Sequence, residues 1–301
     1  MTRRWVLPFA AVSLAVVAEA GCVGDDPTIG LPAPSTPDAA SPTDGAAADQ
    51  TSSTDGGADG AGGPSYCDSL IAYWPGNGNA KDVKGANTLA WFPAASSARY
   101  ASGHAFQVDY DGSASAGEAF ELGSTTRLEA QTTSGFDNLT NVTVVGWANS
   151  LPTAMANPYG SIFCAGVSRI VPTGGFCIAR AALSLEVYAD TTMVSFSLAG
   201  GPPDPWAGAV YHFFAVTLAA KPNGMTGEVS LTWEGTPRSS RTAALPATLV
   251  TTPSPTVRIG GEAPSLGNNP FNGLIDDLAA FSRVLTPAEV ESIRNAGLVC
   301  P

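Results

Sequence analysis

Val257-Arg-Ile-Gly-Gly261, followed by Phe271-Asn-Gly-Leu-Ile-Asp-Asp-Leu-Ala-Ala-Phe-Ser-Arg-Val-Leu-Thr-Pro-Ala-Glu-Val290, is the stretch that decides how this chain is read. The first piece is a short β-branched run closed by glycines. The second is a longer apolar run carrying the adjacent pair Asp276 and Asp277. Thr286-Pro287-Ala288-Glu289 then combines an N-cap residue, proline at the first helical position and a capping-box glutamate. Gly297 offers a left-handed stop. The segment therefore reads as strand, loop, long strand and capped helix. A helix of about three turns cannot form a core alone, so strands elsewhere must supply one.

Short strand-like runs separated by turn residues fill the preceding two hundred residues. Leu70-Ile-Ala-Tyr-Trp74 ends at Pro75-Gly-Asn-Gly78, and Ala105 to Tyr110 ends at Asp111-Gly112. Val142-Thr-Val-Val-Gly-Trp147 has the β-branched content of a buried strand. Leu183, Leu185 and Val187 alternate with Ser184, Glu186 and Tyr188, which assigns the first three to one face. Met193 to Leu198, Phe213 to Leu218 and Glu228 to Trp233 follow. Many of the 24 prolines and 33 glycines lie between these runs, the pattern of an all-β sandwich or barrel.

The first 64 residues are of another kind. Thr2-Arg3-Arg4 followed by the apolar run Trp5 to Val17 reads as an export signal, too short to span a bilayer as a helix. Two processing readings stand. Ala18-Glu-Ala20 fits ordinary secretory cleavage, whereas Ala20-Gly21-Cys22 resembles a bacterial lipoprotein box with Glu19 where an apolar residue is usual. The chain has five cysteines, and lipidation of Cys22 leaves four that can pair, which favours the second reading. Residues 23–64 are almost wholly Gly, Pro, Ser, Thr, Ala and Asp, without aromatic residues, Lys or Arg. Such a segment buries too little apolar surface to offset its ordering entropy, so it reads as a tether. Residues 65–301 form the folded domain.

That domain carries twelve Lys and Arg against eighteen Asp and Glu, a mild net charge of −6. Without a basic cluster, nucleic acid is excluded as a partner class.

In order along the chain, six segments resemble the laminin G-like, concanavalin A-like jelly-roll modules. They are Leu70 to Asp82 with Gly85 and Asn87, Gly103-His-Ala-Phe106, Val142 to Trp147, Tyr211-His-Phe-Phe-Ala-Val-Thr217, Val257 to Gly260, and the closing Gly273 to Leu285. The resemblance implies a two-sheet antiparallel jelly-roll sandwich with one short C-terminal helix. In one place the chain departs from the family: Leu231-Thr-Trp-Glu-Gly235 stands where Tyr-Val-Asp-Gly is frequent, so Gly235 keeps the hairpin but no role of that Asp is carried over.

First and last strands of such a fold commonly neighbour one another, which implies a Cys67–Cys300 bridge. Cys164 and Cys177 lie in two strand-like runs joined by a Pro-Gly loop and suit a cross-strand bridge worth about 3 kcal/mol in the chain-entropy model. Of the three possible connectivities, this one ranks first. The family also carries structural Ca²⁺ near its first turn and last strand. By resemblance, Asp82, Asp276 and Asp277 with carbonyls of the Gly76–Asn79 turn are its candidate ligands here; strand alternation lets only one of the adjacent pair face the ion.

Candidate chemistry is otherwise sparse. The two histidines, His104 and His212, read as structural, and no nucleophile or zinc motif is present. Some relatives of this fold are glucanases with paired carboxylates. Glu118 and Glu121 point to opposite faces of a strand, and Glu186 with Asp190 shares a face without a third carboxylate. Trp206, Tyr159, Asn268 and Asn269, all in loops, are the ligand-binding candidates. The expectation is an exported, lipid-anchored bacterial envelope protein. Its domain recognises a glycan or a surface protein without catalysis; the alternatives are a glycoside-acting enzyme and a purely structural envelope protein.

Overall fold

The computed structural model describes residues 64–94, 98–103, 117–123, 125–130, 133–150, 159–166, 174–198, 205–206, 210–222, 226–251, 256–261 and 270–300. Cys22, the expected export signal, residues 23–63 of the expected tether, the expected strand at 105–110, His104, Asn268 and Asn269 lie outside the described residues. In chain order the strands are β1 (Leu70–Trp74), β2 (Ala90–Phe92), β3 (Tyr100–Ser102), β4 (Glu118–Leu122), β5 (Arg127–Ala130), β6 (Asn141–Ser150), β7 (Tyr159–Gly166) and β8 (Phe176–Ala181). They continue with β9 (Ser184–Ala189), β10 (Thr192–Ser197), β11 (His212–Ala220), β12 (Gly227–Trp233), β13 (Thr236–Ala243), β14 (Thr256–Ile259) and β15 (Gly273–Phe281). One helix, α1 (Pro287–Ala296), follows. No helix among the described residues is long and apolar enough to cross a membrane.

Two antiparallel sheets face one another, and their order is that of a jelly roll. The first runs β13-β12-β11-β6-β15-β4-β3, with β1 also paired to β15; the second runs β10-β9-β8-β7-β14-β5-β2. The main core between them includes Trp74, Phe120, Phe163, Phe176, Phe214 and Ile275. Strand β9 shows how alternation builds it. Leu185 and Val187 point inward, while Ser184, Glu186 and Tyr188 stay half-buried on the other side. Leu183, expected on the same face as Leu185, instead sits in the β8–β9 turn and is 41% exposed, because the tight turn takes up the residue that alternation assigned to the strand.

Around β1, β6, β11 and β15 the first sheet is covered on both sides. Its outer face carries a second cluster, Tyr73, Val145, Trp147, Phe213, Ala279 and Phe281, roofed by Leu285, Val290 and Ile293 of the last turn and helix. For that reason every residue of β15 is buried. The helix starts as its sequence specifies: Thr286 caps it, and the reciprocal Thr286–Glu289 capping box is formed. Gly297 ends it with a positive φ of 76° and an extended ψ, and its N–H bonds to the Ile293 carbonyl.

Both disulfides have the expected connectivity. Cys67 and Cys300 are bridged across a separation of 233 residues, with Cα atoms 5.5 Å apart. Cys164 and Cys177 stand directly opposite one another on β7 and β8, with Cα atoms 4.1 Å apart.

Candidate functional site

The antiparallel register of four strands places Thr143, Thr217, Ser230 and Ser240 in one row across the outer face of the first sheet. The next row reads Val145, Ala215, Thr232 and Pro237. Toward β6 these rows disappear under the roof. Thr143 Oγ1 lies 3.2 Å from Thr217 Oγ1, donates to the Arg283 carbonyl at 2.8 Å and accepts the Leu285 N–H at 3.1 Å. Toward β13 the rows emerge as the floor of a trough of about 320 Å³, walled by Val284, Leu285, Pro287 and Val290. The floor is hydroxyl-bearing and the wall is aliphatic. Among its lining residues there is no aromatic side chain.

A second pocket of about 400 Å³ continues the trough, sharing Thr232, Pro237 and Pro287 with the first. Its far end is the β12–β13 turn. Glu234 and Gly235 both have positive φ, 52° and 72°, the geometry of a two-residue hairpin turn that matches the twist of its strands. A Cβ on Gly235 would lie 2.7 Å from Glu291 Oε2 and 2.8 Å from Arg294 Nη1, so glycine lets the turn close against α1. Glu234 Oε1 lies 2.8 Å from His212 Nδ1, and the imidazole stacks on Trp233 at 5.1 Å between centroids. His212 therefore braces the turn, a structural role as the sequence suggests.

The wall is anchored by charge. The Arg283 guanidinium grips the Glu289 carboxylate with two bonds of 2.9 and 2.5 Å. This clamp, aided by the Thr286 N–H and the Ser65 hydroxyl, holds the Glu289 carboxyl well below the usual carboxylate range despite the opposing effect of burial.

The ligand-binding residues expected from the sequence fare differently. Trp206 is 1% exposed; its indole meets Trp233 edge-on at 4.9 Å and lies near Phe271 and the Arg180 guanidinium. A ring so enclosed offers no face to a sugar, and the expectation for Trp206 is corrected: the apolar area of an indole draws its loop back into the core. Tyr159 opens β7 in the second sheet and is 43% exposed, whereas the trough lies on the first sheet. The glycosidase pairings also separate. Asp190 leaves the strand into a turn at φ 50°, while the Glu186 carboxylate takes the Tyr188 hydroxyl.

The three aspartates expected to share an ion are not brought together as one group, and no cluster of three or more His, Cys, Asp or Glu side chains suited to a metal occurs among the described residues. Asp82 is occupied by its own turn. Its Oδ1 accepts the N–H groups of Tyr73 and Lys84, and its Oδ2 those of Ala86 and Asn87. Four amide donors saturate the carboxylate, which corrects its assignment as a metal ligand. Asp276 and Asp277 sit where β15 changes partner from β4 to β1. The register against β6 shifts between Asp276 and Ala279, and Asp277 has φ 48°. This bulge breaks the alternation that would have sent the two carboxylates to opposite faces. It also rephases the strand, so that Ile275, Leu278 and Ala280 all reach the main core. Both carboxylates now act on one neighbour: burial first, then Asp276 and Asp277, push the Tyr211 phenol up. Asp277 Oδ1 accepts the Tyr73 hydroxyl at 2.5 Å. Asp276 is 1% exposed, and a Cβ on Gly76 or Gly103 would lie 3.1 or 2.5 Å from one of its oxygens. That glycine-lined cradle around a buried carboxylate fits a cation held by Asp276 and backbone carbonyls; it does not extend to Asp82.

A sandwich whose first and last strands pair, with a helix roofing one sheet, defines a concanavalin A-like module. The family model for the concanavalin A-like lectin/glucanases superfamily matches residues 122–291, and the chain belongs to that family. No curated protein matches it by sequence. Among solved structures, domain 4 of the GH43 extracellular arabinanase AbnA from Geobacillus stearothermophilus, in complex with arabinotriose, is 16% identical with a TM-score of 0.51, over 75% of this chain and 98% of that one. The binding domain of botulinum neurotoxin DC, in complex with rat synaptotagmin II, is 14% identical with a TM-score of 0.55, over 78% of this chain and 53% of that one. This chain thus spans about half of the toxin structure. At these identities the likeness establishes the fold.

Proposed function

We propose that this protein is a non-catalytic recognition module of the cell surface, binding protein or glycan in the trough between α1 and the β12–β13 hairpin. The carrying observation is the trough itself: a concave, hydroxyl-floored and aliphatic-walled surface beside the roofed part of the sheet. The carboxylates at its polar end are hydrogen-bonded to neighbouring side chains, Glu234 to His212 and Glu291 to Asn295 at 2.7 Å and Arg294 at 3.4 Å, which supports binding over glycoside chemistry. Among the structural neighbours, one is a complex with arabinotriose and another, matched over about half its length, a complex with synaptotagmin, which is in keeping with either ligand class.

The proposal includes export, a flexible tether over residues 23–64 and a lipid anchor at Cys22. Cys22→Ser is expected to move the protein into the soluble fraction, and a soluble wild-type protein beginning at Gly21 would sink the anchor. It also includes one structural Ca²⁺ held by Asp276 and carbonyls of the Gly76–Asn79 turn, which would tie the first turn to the last strand. Chelator then lowers the melting temperature of the wild type but not of Asp276→Asn, while Asp82→Ala is destabilised yet keeps its response to chelator. Melting indifferent to chelator removes calcium from the account. Recognition is tested by screening the full chain, with and without calcium, on glycan and peptide arrays. Binding that is abolished by Ser240→Trp, which places an indole at the exposed edge of the trough beside Ser230, is the expected result. No binding on either array refutes the function.

A further inference from the structure

From the two halves of the trough we infer that its occupant is an extended protein segment carrying an aliphatic residue and, two positions away, a lysine or arginine. This rests on the reading of the trough as a recognition site and names its ligand. Three observations support it.

The first is the lining of the apolar half. Sugar rings are held chiefly by aromatic faces, and no aromatic side chain lines this half. Leu285, Pro287 and Val290 instead offer the curved aliphatic wall that suits a valine, leucine or isoleucine side chain. The hydroxyls of Ser230 and Thr232 on the floor can exchange hydrogen bonds with a peptide backbone.

The second is charge. The polar half is lined by two carboxylates, Glu234 and Glu291, whose side chains are 35% and 45% exposed, against one cation, Arg294. Arg294 lies beside Glu291 at 3.4 Å and His212 beside Glu234 at 2.8 Å, yet both carboxylates line the pocket with side chains that stay partly exposed. An added ammonium or guanidinium complements that excess of negative charge, and an added carboxylate is repelled by it.

The third is spacing. The two halves share Thr232, Pro237 and Pro287, so they are adjoining parts of one floor. In an extended segment residues i and i+2 project from the same face, roughly 7 Å apart. Two such same-face side chains are the neighbours that two adjoining pockets sharing a floor can receive together.

The test uses the full chain and an array of capped octapeptides containing Val-x-Lys, Val-x-Arg, Val-x-Glu or Gly-x-Lys. Val-x-Lys and Val-x-Arg peptides are expected to bind and to shift the backbone amide resonances of Ser230 and Thr232. Val-x-Glu and Gly-x-Lys peptides are expected to bind at least tenfold more weakly. Raising salt should weaken the basic peptides, and Glu291→Lys should weaken them about tenfold or more while leaving the melting temperature close to that of the wild type. Ser230→Trp should abolish binding; Ser240→Trp, at the exposed position opposite Ser230, repeats the block where Ser230→Trp does not fold. Equal binding of the Lys and Glu peptides, or peptide binding untouched by both tryptophan variants, overturns the inference. If glycans bind and the tryptophan variants abolish that binding, the recognition function stands and the peptide ligand falls. If neither peptides nor glycans bind, both fall.

Discussion

One face of one sheet has two unlike halves. Over β1, β15 and β6 the outward side chains are large, with Tyr73, Val145, Trp147 and Phe281 packed under α1. Over β12 and β13 they are small and hydroxylic, Ser230, Thr232 and Ser240, and the helix stops short of them. The strands are continuous across the boundary, and Thr143 and Thr217 belong to both halves through the hydroxyl row. Side-chain size therefore decides where the roof ends. Large apolar residues draw the last segment down because covering them removes area from water, and small hydroxyls offer little such gain.

The comparison breaks most readily on the roofed side. Cys67→Ser with Cys300→Ser opens a loop of 233 residues that closes the roof. The expected loss is about 5 kcal/mol in the chain-entropy model, read by chemical denaturation; a loss below about 1 kcal/mol would show that the roof holds without its clasp. Phe281→Ala empties a fully buried position beneath the helix. It should cost about 3–5 kcal/mol, and an unchanged denaturation midpoint would place the stability elsewhere.

The acid limb sharpens the contrast. Because the folded Glu289 carboxyl lies below its unfolded value, the Arg283–Glu289 clamp contributes above the ordinary carboxylate pKa of about 4.3 and its contribution is lost as pH falls below that toward the folded value. Glu289→Gln should therefore melt lower than wild type at pH 7, by roughly 2–4 °C per kcal/mol lost, and the two curves should converge as the pH is lowered from about 5. A gap that is constant with pH would assign the effect to packing. On the open half Ser230→Ala should change stability by no more than about 0.5 kcal/mol. A larger loss would mean that the hydroxyl row is structural rather than exposed for binding.

What was legible in the sequence follows the same division. Strand β15, helix α1 and its capping box could be read because apolar runs and caps are local signals. The disulfide connectivity followed from the family resemblance and the hairpin spacing. Trp206 misled because a tryptophan in a Gly/Pro loop has the same local sequence whether its ring is exposed or drawn into the core. Asp82 looked like a metal ligand because an aspartate in a glycine-rich turn is also what caps one, and only the four donated amides distinguish the two. The bulge at Asp276–Asp277 defeated strand alternation, which assumes unbroken pairing. The trough left no local trace. Thr217, Ser230 and Ser240 are unremarkable hydroxyls in three strands, and only the register lines them up.

The Cys67–Cys300 clasp also sets how the domain carries mechanical load. A pull on the chain ahead of Cys67 would, without the bridge, peel β1 from β15 one residue pair at a time, beginning with Leu70 opposite Phe281. With the bridge in place, tension reaching Cys67 can pass through sulfur to Cys300 and on to α1, whose wall the trough shares. The ladder between the end strands then bears only part of the load. Tension entering ahead of Cys67 would then reach the helix wall along a covalent path, leaving the β1–β15 ladder as a side branch.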